Sequence, residues 1–136
     1  MRRTVVLALA MMATLVVVSA DEKPAPEFQN IMKSNAAANG DLRKAVPAKD
    51  YMAVAGDAAT LKANYAKIEA FWTARKIEDA IAFAKAGSKA AADLEAAAKE
   101  KNDAGIEAAN KALGATCAGC HAAHRVQLPD KTYEIK

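Results

Sequence analysis

Past residue 20, apolar side chains recur every three or four positions, the period of an amphipathic helix. Phe28, Ile31, Met32, Asn35, Ala38 and Leu42 make the first stripe. Pro26 suits its first turn, where a missing N–H is not needed. Pro47 ends it, because the residue before a proline avoids helical geometry. A connection over residues 47–56 closes with Gly56-Asp57, and Asp57 is a good N-cap for a second helix. Leu61, Tyr65, Ile68 and Trp72 continue the period there. No Gly or Pro interrupts the chain between Asp57 and Ala86. The break before a third helix is therefore expected in Thr73–Asp79, with Thr73 as a cap and Glu78 and Asp79 in a first turn. The third stripe runs through Ala80, Phe83, Ala90, Leu94 and Ala97. After a turn over Lys99–Asp103, with Asp103 as cap, the fourth runs through Ile106, Ala109, Leu113, Cys117, Cys120, His124 and Leu128 to Pro129.

Four helices with short connections predict an all-α fold, an antiparallel four-helix bundle. Composition agrees. Apolar residues make up 53% of the 136-residue chain, yet there are only three Phe, one Trp and three Tyr, and alanine dominates. Alanine favours helices, whereas strands need β-branched and aromatic residues. Alanine on the inward faces also leaves little large apolar surface to bury, so something else is expected to fill the interior.

Residues 1–20 read as an address. Arg2 and Arg3 precede an apolar run from Val5 to Val18, and Val18-Ser19-Ala20 offers a cleavage point, the three parts of a secretory signal peptide. The run falls short of the ~20 residues a spanning helix needs, which argues against a retained membrane anchor. The expected organisation is a signal peptide over 1–20 and one bundle domain over 21–136, beginning at Asp21. Cleavage takes away two arginines and no acids, so 19 basic and 16 acidic side chains become 17 and 16, a balance of +1. A polyanionic partner such as nucleic acid loses its main support. Export places the protein in the periplasm, where cysteines meet oxidising conditions.

Cys117-Ala118-Gly119-Cys120-His121 is the C-x-x-C-H signature of c-type haem attachment. Residues three and four apart share a helix face. Cys117 and Cys120 can each add to a vinyl group on one porphyrin edge, and His121 then presents an imidazole to the iron as proximal ligand. Three other readings compete. A plain disulfide ignores His121. A thioredoxin-like pair belongs at a helix N-terminus beside a βαβ unit. A zinc site from Cys117, Cys120, His121 and His124 would take every ligand from one helix, whereas tetrahedral zinc draws on converging segments.

The arrangement resembles the cytochrome c′ family, c-type cytochromes built as four-helix bundles with haem near the C-terminus. Residues 114–125, GATCAGCHAAHR, are similar to the family's G-x-x-C-x-x-C-H-x-x-aromatic-Arg ending. Residues 56–64, GDAATLKAN, resemble the start of its second helix, and residues 28–40, FQNIMKSNAAANG, its first. The resemblance implies that Met32 faces the sixth site of the iron, as in the low-spin six-coordinate branch, where a methionine binds there. Independently, the first helix lies across the bundle from the fourth, and Met32 shares a stripe with Phe28 and Leu42. The alternative is that Met32 fills the core. Met52, placed in the connection, is the reserve ligand. The resemblance also implies Gln29 near the haem propionates, and Arg125 beside the proximal histidine or holding a propionate. Two departures stand out. His124 replaces the family's aromatic residue and is expected to be solvated, and the connection between the second and third helices is greatly shortened.

No acid–base pair or nucleophile constellation is visible, so no enzyme is expected. The leading expectation is a periplasmic electron carrier with one covalent haem c, its iron bound by His121 and Met32, serving redox partner proteins. A five-coordinate protein that binds or buffers nitric oxide or carbon monoxide is the alternative. A haemless interaction bundle with paired cysteines is the third. After cleavage the protein is not membrane-embedded, and a homodimer is among the assemblies that the resemblance admits.

Overall fold

A computed structural model describes residues 22–136; the expected signal peptide over residues 1–20 and Asp21 lie outside the described residues. Four helices follow one another: α1 (Pro26–Ala45), α2 (Tyr51–Arg75), α3 (Glu78–Lys99) and α4 (Asp103–His124). The connections are short, so neighbours run antiparallel. The chain is an all-α bundle with one small addition. Beyond α4, β1 (Arg125–Gln127) pairs antiparallel with β2 (Tyr133–Ile135), and Glu22 joins the edge through two backbone bonds to Ile135 at 2.8 and 3.0 Å. The fourth helix was expected to reach Leu128. It stops at His124 because the backbone bonds of 125–127 go to the returning strand instead.

The helix starts differ from expectation in an instructive way. Asp50, not Asp57, caps α2, its carboxylate accepting from the Ala53 N–H at 3.0 Å. The connection expected over 47–56 is therefore much shorter, and Gly56 and Asp57 lie inside the helix. Asn102, not Asp103, caps α4, accepting from the Gly105 N–H at 3.0 Å. Asp103 instead accepts from the Tyr51 hydroxyl at 2.9 Å and pairs with Lys49, tying the α1–α2 turn to the α3–α4 turn. Thr73 caps nothing. The α2–α3 break falls at Lys76, whose φ is 57°, followed by Ile77 at the N-cap position without a side-chain bond. Glu78 and Asp79 occupy the first turn of α3 as expected.

The largest fully buried side chains are Leu42, Leu61, Leu94, Leu113 and Val54, so every helix contributes at least one. Packing is otherwise uneven. α2 and α3 pack most extensively, and buried Ala58 on α2 and Ala80, Ala84, Ala91 and Ala98 on α3 are small enough to permit close approach. Gly87 is required there: a Cβ on it would sit 2.2 Å from the Tyr65 ring. α1 packs on α2 and α4 on α3, but no comparable seam joins α1 to α4. Among the described residues no helix is long and apolar enough to cross a membrane.

Candidate functional site

The unclosed side of the bundle is a cleft of about 470 Å³. Volumes of this order hold cofactors. Met32 lines it from α1, Tyr65 and Ile68 from α2, Phe83 from α3, and Cys117, Cys120 and His121 from α4. The residues that sequence reasoning drew from opposite ends of the chain thus meet in one place. The helical period explains why: Met32 shares its face of α1 with Asn35, Ala36, Asn39 and Arg43 of the cleft wall, and Cys117 lies one turn from the adjacent Cys120 and His121 on α4.

Both cysteines are free thiols and half-buried. The Tyr65 hydroxyl lies 3.0 Å from Cys117 Sγ. Burial, reinforced by that bond, holds the Tyr65 phenol well above its usual range. Burial first, then the Cys117 and Asp79 charges, pushes the Cys120 thiol up to about 11. Cys120 is therefore protonated at neutral pH. The His121 imidazole is shifted the other way: burial, and secondarily the Arg125 guanidinium, lowers its pKa. A neutral ring with a free nitrogen lone pair is the form a metal takes. Gly119, between the cysteines, makes room for a neighbour, since a Cβ there would approach the Phe83 ring to 2.7 Å.

Other expected site residues lie elsewhere. Gln29 does not line the cleft; its amide donates to the Pro24 carbonyl at 2.7 Å. Arg125 is exposed in β1, with its guanidinium 4.3 Å from the centre of the Tyr133 ring, so its charge reaches His121 but its side chain lines no part of the cleft. Met52 is in the first turn of α2 and 87% exposed, which removes the reserve ligand. His124 is buried rather than solvated. Its Nε2 is 2.9 Å from Asp79 Oδ2, its Nδ1 is 3.3 Å from the Lys136 carbonyl, and its ring is 5.2 Å from that of Trp72. Both nitrogens are committed, and the side chain belongs to an aromatic cluster with Phe28, Phe71 and Trp72. An aromatic-like role at this position follows from packing, a signal that a polar residue type hides in the sequence.

The sequence also gave no sign of Asn39, Arg43 and Asn110, which line the cleft away from the cysteines. Their polar character suggested solvent, and nothing local reveals that two distant helices bring them together. Among the described residues no three His, Cys, Asp or Glu side chains gather as a metal site, so the zinc alternative has no ligand set. What the cleft does offer is two thiols and an imidazole from α4, a thioether from α1 and apolar sides from α2 and α3. Those side chains are of the kinds that a c-type haem site draws on: thiols for attachment, and an imidazole and a thioether for the iron. No family model, curated protein or solved structure matches this chain.

Proposed function

We propose that the protein is a periplasmic c-type cytochrome of the cytochrome c′ kind that carries single electrons. Cys117 and Cys120 hold one haem through thioether bonds, His121 is the proximal ligand, and Met32 is the distal one. The observation that carries the reading is the convergence of these four side chains, from the first and last helices, on one open cleft. Haem, once bound, supplies the Fe(III)/Fe(II) couple.

The chain's own residues account for the rest. Burial, and secondarily the charge of Arg125, disfavours protonation of His121, which leaves its lone pair to offer. Met32 supplies a soft thioether, which raises the reduction potential. Ile68 and Phe83 exclude water from the walls of the cleft. Tyr65, fixed against Gly87, gives the Cys117 sulfur a hydrogen-bond partner that survives conversion of thiol to thioether. With His121 and Met32 as its ligands, haem would exchange an electron with little rearrangement, and the open side of the bundle gives a partner protein access to the cleft.

Mass spectrometry of the denatured mature chain, made where cytochrome maturation operates, tests attachment: haem mass stays with the polypeptide. Absorption spectra test ligation. The ferric protein is expected to be low-spin, and Met32→Ala to convert it to a high-spin form that binds carbon monoxide when reduced. Unchanged spectra in Met32→Ala would exclude Met32 as the ligand. Carbon monoxide binding by the unsubstituted reduced protein would favour the gas-binding alternative.

A further inference from the structure

Asn35 is a polar side chain only 7% exposed, and it lines the cleft one turn after Met32 on the same face of α1. A buried amide costs stability unless its donors and acceptors find partners. Half of this one is accounted for. Asn64, buried on α2, donates its Nδ2 to Asn35 Oδ1 at 2.8 Å and to Ser34 Oγ at 2.9 Å. Both hydrogens of that Nδ2 are engaged, so the Asn35 amide is held with its oxygen toward α2.

The other half is free. Among the described residues no protein group accepts from Asn35 Nδ2, whose side chain bonds only through its oxygen. The side-chain polar atom sealed inside the protein without a partner is Trp72 Nε1, not this one. An N–H neither bonded nor sealed in opens to the space that its side chain lines, which is the cleft. A helical side chain covers the turn N-terminal to its own Cα, and for Asn35 that turn carries Met32. Nearby, Ile68, Phe83 and Ala84 line the cleft with side chains that have no acceptor. A thioether sulfur is a weak acceptor with two lone pairs. One can bind a metal while the other takes a hydrogen bond.

We propose that Asn35 is a positioning residue for Met32: its free N–H donates to the Met32 sulfur, holds the thioether in place as the distal ligand and raises the reduction potential. This rests on the haem reading above. The sign follows from charge. A donor draws electron density from sulfur, and ferric iron, the more electron-poor state, loses more by it than ferrous iron. The test uses the haem-loaded protein. Redox titration reads the potential, the ferric absorption spectrum reads the sulfur-to-iron charge-transfer band, and mass spectrometry reads the retained haem. Asn35→Leu should lower the potential and move the band; Asn64 keeps Ser34 as its acceptor in that variant. Asn35→Asp preserves the shape and the oxygen facing Asn64 but exchanges the free N–H for a second oxygen. It should lower the potential further, since a carboxylate favours the ferric form. In a Met32→Ala background the Asn35→Leu shift should vanish, because the acceptor is gone. Potentials and bands that stay unmoved in both Asn35 variants, or an Asn35→Leu shift of the same size with and without Met32, overturn this assignment and leave the haem reading standing. A mature chain without retained haem overturns both.

Discussion

Two helix pairs in this bundle are built from similar residues and behave in opposite ways. The α2–α3 seam closes until ring meets backbone, with Tyr65 lying where a Cβ of residue 87 would be. The α1–α4 side stays apart over a cleft, although its walls also carry alanine and glycine, at Ala36, Ala118 and Gly114. The difference lies in what accompanies the small residues. On α2, Leu61 and Trp72 are large apolar groups buried in the core, and Tyr65 and Ile68 stand between it and the cleft. On the facing walls of α1 and α4 stand Asn35, Asn39, Arg43 and Asn110, which lose hydration if the helices meet without partners for them. Small residues permit close approach; the neighbouring side chains decide whether it happens.

Substitutions on the two sides should therefore diverge. Leu94→Ala, in the closed half, removes a fully buried side chain and should cost about 2–5 kcal/mol in denaturant unfolding. Gly87→Ala should cost about 1–3 kcal/mol by overpacking against Tyr65, despite alanine's helix preference of about 1 kcal/mol over glycine; a stabilised variant would mean that the seam is not tight. Acid should have a smaller effect, best read in a haem-free Cys117→Ala/Cys120→Ala variant. The folded state holds the His121 pKa below its unfolded value, so the unfolded chain binds the proton first. Stability from this source is full above the ordinary imidazole range and declines as pH falls through it. Unfolding midpoints between pH 7.5 and pH 5, compared with a variant also carrying His121→Phe, isolate that share. Ala36→Leu, on the exposed lip of the cleft, should change stability least, within about 0.5 kcal/mol, yet lower haem content by filling the space. An equal loss of stability in Ala36→Leu and Gly87→Ala would erase the distinction between the two sides.

The turns explain why some boundaries were hidden. Lys49, Lys76 and Lys101 each take a φ near 55° between successive helices. Glycine or asparagine is the residue that ordinarily marks this conformation, and a lysine in it carries no local signal. The α2–α3 break was therefore placed only to within a cluster, and Thr73 was assigned a cap that it does not make. The caps at Asp50 and Asn102 were missed for a related reason: Asp57 and Asp103 are equally good capping residues, and which one is used depends on where the preceding turn closes. The hairpin after His124 was invisible because its strands are three residues long and stabilised by each other and by Glu22.

By itself the sequence determined that the chain is helical, roughly where each helix lies, and that Cys117, Cys120 and His121 share one face. These are properties of spacing along a single helix, fixed by its 3.6-residue period. Tertiary structure alone decided that Met32 lines the same cleft as those residues while Met52 is exposed, that His124 is held between Trp72 and Asp79, and that Arg43 and Asn110 line that cleft as well. Each of those facts joins residues that are distant in the chain. They follow from which helices close on each other, and that depends on packing and desolvation across the whole bundle rather than on local pattern.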